Sequence, residues 1–90
     1  MAKRAITMGP VGHTVVTRMV SQRAHLAMTQ GDLSEAVTRR GRRLGRQAIA
    51  EIETHRRRVD VDDLTALAEA LETTTAYLMG EIDDPDQRYS

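Results

Sequence analysis

Arg46, Gln47, Ala50 and Glu51 belong to one short run, Gly45–Glu53, and point away from its apolar face of Ala48, Ile49 and Ile52 when the run is wound as a helix. The chemistry available to such a set is recognition of base edges. An arginine fork matches the O6 and N7 acceptors of guanine, and a glutamine amide matches N6 and N7 of adenine. Each good pairing is worth about 1–3 kcal/mol of discrimination. Arg46 and Gln47 are the best base readers of the four; their bland alternative is contact with phosphate or water only. Glu51 has two readings: acceptance from cytosine N4, or pairing with a neighbouring arginine, the second being favoured.

The charge around this run is segregated. Between Arg39 and Arg58 stand eight arginines against two acids, and between Asp60 and Asp86 nine acids and no base, although the formal net charge is +0. Arg39, Arg40, Arg42 and Arg43 crowd the connector before the run, and Arg56, Arg57 and Arg58 follow it. A basic surface flanking a small polar helix is the electrostatic footprint of nucleic-acid binding. In that reading these arginines contact phosphates, and log K falls with log salt at about −0.9 per contact. The alternative is a solvated loop, for which affinity would barely change with salt.

Composition narrows the classes. Ninety residues make one domain; 40% are hydrophobic, with no Phe and no Trp, so the core must come from Val, Ile, Leu and Met, with Tyr77 as the aromatic contributor. A domain of this size buries roughly 60–65% of its unfolded surface, so dimerisation would add to a modest stability. The chain has no cysteine, and His13, His25 and His55 lack the paired spacing of a metal-binding helix. No nucleophile elbow, metal motif or phosphate-cradling glycine loop occurs, so neither an enzyme nor a cofactor is expected. No apolar run approaches the ~18 residues of a membrane span, and no signal-peptide core is visible. The chain reads as soluble and cytoplasmic: nucleoid-associated in a bacterium, or in the host cytoplasm if phage-encoded.

These residues need elements to position them. Gly9-Pro10-Val11-Gly12 reads as a break, making residues 1–13 a flexible arm. A first helix is predicted from about Thr14 to Ala27, with Val15, Val16, Met19, Val20 and Leu26 inward and Arg18, Gln22 and Arg23 outward or along the border. Thr29 then caps a short second helix, about Gln30 to Val37, with Asp32 as capping-box partner. The connector Thr38–Gly45 contributes Leu44 to the core. The third helix spans about Arg46 to Thr54. A fourth, about Val61 to Leu71, places Val61, Leu64, Leu67, Ala68 and Leu71 on one stripe behind Asp60, Asp62 and Asp63. Thr74 caps a last turn closed by Gly80, and residues 81–90 form an acidic, frayed tail.

In this order the segments resemble the Xre/Cro-like helix-turn-helix family, which includes phage repressor DNA-binding domains. Met28-Thr-Gln-Gly-Asp-Leu-Ser-Glu-Ala-Val37 is similar to the family's helix 2, Ile49-Ala-Glu-Ile-Glu53 to its recognition helix, and Arg57 to Leu71 to helix 4 in wording typical of actinobacterial members. The likeness covers about Val15 to Gly80. It implies an all-α, five-helix, lambda-repressor-like domain at 14–80. It also implies that Gln30 approaches the DNA backbone and sometimes a base, that Arg46, Gln47, Ala50 and Glu51 face the groove, and that Thr54 to Arg58 lie near phosphate. Arg23 and Glu53 match a pair that forms a buried ion pair in some phage repressors. Two features depart from the family: the turn from Thr38 to Gly45 is eight residues rather than three or four, and His55 stands where glycine or asparagine is common.

The resulting expectation is a double-stranded-DNA-binding transcriptional regulator, a repressor, acting as a homodimer on a near-palindromic site with the acidic 60–86 face turned from DNA. The rival is a protein-interaction module of the same fold, such as an antitoxin, working through that acidic face.

Overall fold

Five helices follow one another in the computed structural model, which describes residues 7–88: α1 (Pro10–His25), α2 (Gln30–Arg39), α3 (Arg46–Glu53), α4 (Val61–Ala70) and α5 (Thr75–Leu78). No strand occurs among the described residues. The start of α1 corrects the expectation drawn from the Gly-Pro-Val-Gly segment. Pro10 stands in the first turn with Gly9 as N-cap, a place where the missing N–H is not needed and the fixed φ is already helical. The segment therefore opens a helix; residues 1–6 of the predicted arm lie outside the described residues.

Two reciprocal boxes start the helices on either side of α3. Asp32 N–H donates to Thr29 Oγ1 at 3.0 Å while Thr29 N–H donates to Asp32 Oδ2 at 2.9 Å. Asp63 N–H likewise donates to Asp60 Oδ1 at 2.7 Å, answered by a longer bond from Asp60 N–H to Asp63 Oδ2 at 3.4 Å. Such caps satisfy N–H groups that a helix start otherwise leaves open. The backbone donors hold both the Asp32 and the Asp60 carboxyls below the usual carboxylate range.

Each helix ends in the same way, with the residue after the C-cap in the left-handed region. After α1, Ala27 N–H donates to Ala24 O and Met28 N–H to Arg23 O; after α3, His55 N–H donates to Ile52 O and Arg56 N–H to Glu51 O. This is the Schellman pattern. Gly41 and Gly80 close α2 and α5 without strain, but Ala27 (φ 55°), His55 (φ 60°) and Glu72 (φ 58°) hold the equivalent positions after α1, α3 and α4. His55 thus closes α3 where glycine is common, by adopting glycine's conformation.

The core is a single cluster. Met19 from α1, Leu33 and Val37 from α2, Ile49 and Ile52 from α3, Leu67 from α4 and Leu78 from α5 are fully buried, joined by Leu44 from the connector and Leu71 from the C-cap of α4. Two residues break the expected pattern. Val61, placed on the inward stripe by spacing, is 77% exposed at the first position of α4, before the helix has reached the core. Gln22, expected on the border, is buried, and its amide donates to Leu71 O at 3.1 Å, which satisfies a carbonyl at the end of α4.

The acidic tail is also corrected. Arg18 donates to Tyr77 O at 2.7 Å, Ile82 O at 2.6 Å and Asp83 Oδ1 at 3.0 Å, with its guanidinium 4.4 Å from the Tyr77 ring centroid. Thr73 Oγ1 donates to Pro85 O at 2.6 Å, and Arg88 Nη2 to Glu72 O at 2.9 Å. Residues 81–88 are lashed back onto α1 and the end of α4.

Candidate nucleic-acid interface

α3 is seated by Ile49 and Ile52, both fully buried. Its opposite stripe, Gln47, Ala50, Glu51 and Thr54, runs along the outer face at helical spacing, with Gln47 and Thr54 exposed and Ala50 and Glu51 half-buried. Thr54 joins this stripe although base reading had been assigned only to Arg46, Gln47, Ala50 and Glu51. Arg46 is exposed and leans toward α2: its Cδ lies 3.9 Å from where a Cβ on Gly31 would stand. A methyl group at Gly31 would stand in ordinary van der Waals contact with this arginine.

The connector is held at its far end. Ser34 Oγ, one turn into α2, donates to Leu44 O at 2.8 Å while the Leu44 side chain fills the core. Because α2 runs on to Arg39 and Gly41 turns the chain back, the link is shorter than the eight residues read from the sequence. Gly45 caps α3 without a side-chain bond, so no N-cap side chain covers the start of this helix.

Arg23 and Glu53 form a two-bonded ion pair. Arg23 Nε lies 2.8 Å from Glu53 Oε2 and Nη2 lies 2.9 Å from Oε1, while Nη1 donates to Met28 O at 2.9 Å. The Glu53 side chain is 8% exposed and Arg23 19%, so the pair ties α1 to the end of α3 in a low-dielectric setting. Gln30 Nε2 donates to the same Glu53 Oε1 at 2.9 Å, a contact that nothing in the sequence pattern signalled.

The basic residues divide into two groups. Arg42, expected to contact phosphate, is bound by α4: Nε donates to Asp63 Oδ1 at 2.7 Å and Nη2 to Asp60 Oδ2 at 2.8 Å. The hydrogen bond it donates to Asp63, and the charge of the surrounding acids, raise its pKa further. The physical reason is proximity: the N-terminal box of α4 presents two carboxylates beside the connector. Arg40 is drawn the same way, donating to Ala36 O at 3.1 Å and lying 3.8 Å from Glu69. Arg58 donates to Thr7 O at 2.8 Å, Arg56 to Thr54 O at 3.4 Å, and Arg57 is near enough to lower the Asp60 pKa. Arg39, Arg43 and Arg46 are exposed, and no hydrogen bond or ion pair to a described residue holds them.

Two further features lie outside this face. The rings of His13 and His55 meet edge to face with centroids 4.8 Å apart, joining α1 to the turn after α3. No group of three metal-ligating side chains forms among the described residues. A recess of about 220 Å³ lined by Met8, Val11, Val15, Val16, Val59 and Leu64 has Arg58 as its one charged lining residue, so it brings together no acid–base pair. No described helix is long and apolar enough to cross a membrane. Compared with known protein families, with curated proteins and with solved structures, the chain matches none.

Proposed function

We propose that the chain is a sequence-specific, double-stranded-DNA-binding transcriptional regulator, a repressor, in which α2 and α3 form a helix-turn-helix. The observation that carries this reading is the way α3 is held. Its inner side is locked by Ile49, Ile52 and the Arg23–Glu53 pair, and its outer side is a polar stripe bordered by Arg43 and Arg46. A rigid helix presenting long polar side chains among cations suits insertion into a major groove. Arg46, Gln47 and Ala50 read bases with Glu51 beside them in the groove, while Arg39, Arg43 and Arg57 neutralise phosphates. Two copies on a near-palindromic site, with half-sites ~34 Å apart, double these contacts.

The rival, a partner-protein module working through the acidic 60–86 face, is weakened by one fact. Asp60, Asp63, Glu69 and Asp83 already lie in ion pairs with Arg42, Arg40 and Arg18.

Selection of random duplex DNA by the purified chain, with survivors re-measured at two salt concentrations, tests the proposal. A repeated half-site motif with a steep salt slope is the expected result. Salt-sensitive binding without a motif would reduce the role to a non-specific one, and no binding would pass the case to the partner-protein reading.

A further inference from the structure

We infer that Glu53 fixes the polarity of the Gln30 amide and so makes Gln30 a reader of an adenine edge rather than a phosphate contact. The inference rests on the DNA-binding reading above. A carboxylate paired with a guanidinium has no hydrogen to donate. Glu53 Oε1 already accepts from Arg23 Nη2 at 2.9 Å, so the Gln30 atom 2.9 Å from it must be the amide nitrogen. The flipped amide would set a carbonyl oxygen against a carboxylate oxygen, with both left unsatisfied. Neither partner is free to swing away, because Glu53 is 8% exposed and Arg23 is also bound to Met28 O.

With one N–H held by Glu53, Gln30 retains a second N–H and its carbonyl oxygen. That is one donor and one acceptor. A phosphate offers acceptors only, so it could use the N–H but would leave the carbonyl oxygen without a donor. The major-groove edge of adenine offers an N6 donor and an N7 acceptor, the complement of what Gln30 retains. Gln30 also stands in the right place, at the first position of α2 and next to Gly31, across which Arg46 leans from α3. Glu53 is then a positioning residue: it acts through Gln30.

The test compares the full-length chain with Gln30→Ala, Glu53→Gln and the double variant by duplex selection, by affinity at two salt concentrations and by thermal melting. Wild type is expected to enrich adenine at one position. Gln30→Ala should lose that preference by roughly tenfold or more with the salt slope unchanged. Glu53→Gln should relax the same position, because its amide can donate as well as accept and lets Gln30 flip. In the Gln30→Ala background it should change nothing further there. A general loosening of the fold would instead lower affinity for every sequence in both backgrounds.

Uniform loss of affinity across all sequences in Gln30→Ala, with the preference at every position unchanged, would identify a phosphate contact and overturn the inference. So would a wild-type motif indifferent to Gln30, which leaves the DNA-binding reading standing. Absence of any wild-type motif removes both. Should Glu53→Gln not fold, the side-chain amide protons of Gln30 in ¹⁵N-labelled wild-type protein decide the Glu53 half. One protected and one exposed proton supports it; equal exchange overturns it.

Discussion

Arg42 Nε lies 2.7 Å from Asp63 Oδ1, joining the α2–α3 connector to a carboxylate whose side chain is 2% exposed. The same carboxylate also accepts the Asp60 N–H in the α4 box, so one buried group serves helix initiation and connector placement together. Arg42→Ala leaves that charge without its cation. Its melting temperature is expected to fall by several degrees. Adding Asp63→Asn should recover part of the loss, since a neutral amide is easier to leave unpaired. Equal melting of wild type and Arg42→Ala would show that the pair is incidental.

Acid should weaken the fold through the capping boxes. The Asp60 and Asp32 carboxyls are held below their ordinary values, chiefly by the backbone N–H groups of Asp63 and Thr29 respectively. A depressed folded-state pKa contributes stability that is present above the unfolded value of about 3.9 and is lost as pH falls through the folded value. Melting temperature should therefore hold from neutral pH to about 5 and drop below about 4. Asp32→Asn should flatten the drop; an unaltered pH curve would rule its cap out as a source.

The three strained helix ends offer stabilising changes. A left-handed non-glycine residue costs roughly 1–2 kcal/mol, set against the entropy that glycine loses on folding. Ala27→Gly and Glu72→Gly, at φ 55° and 58°, should each stabilise by about 0.5–1 kcal/mol in denaturant unfolding. His55→Gly should gain less, because it also gives up the ring contact with His13.

For the Arg23–Glu53 pair, removing either partner should destabilise by about 3 kcal/mol, since it strands a largely buried charge. A double-mutant cycle reads the coupling directly, and a value near zero would mean that α3 is held by its isoleucines alone.

On DNA, the two classes of arginine should separate. Arg46→Ala should relax preference at one base pair, at about 1–3 kcal/mol. Arg43→Ala should weaken all sequences alike and reduce the salt slope by about 0.9. A reversal of these two behaviours would exchange their roles.

The helical framework was legible where period and cap agreed. Thr29 with Asp32 announces α2, the Leu64–Leu67–Leu71 spacing behind Asp60, Asp62 and Asp63 announces α4, and Ile49 with Ile52 marks the inner side of α3. The start of α1 was misread because Gly9-Pro10 has opposite meanings inside a helix and at its first turn. The ion pairs of Arg42 were not legible because its partners lie 18 and 21 residues away and carry no local signature. The tail was misread for a related reason: Ile82 and Pro85 accept through their carbonyls, and a carbonyl leaves no mark on residue type. The bond from Gln30 to Glu53 needed the helix crossing itself.

The Arg18 clamp sets a timetable for synthesis. Its acceptors on Tyr77, Ile82 and Asp83 lie 59 to 65 residues further along the chain. While the chain is still emerging from the ribosome, α1 can wind but its guanidinium has nothing to hold. The clamp can therefore close only after residues 77–83 have been made, later than the Arg23–Glu53 pair that also holds α1.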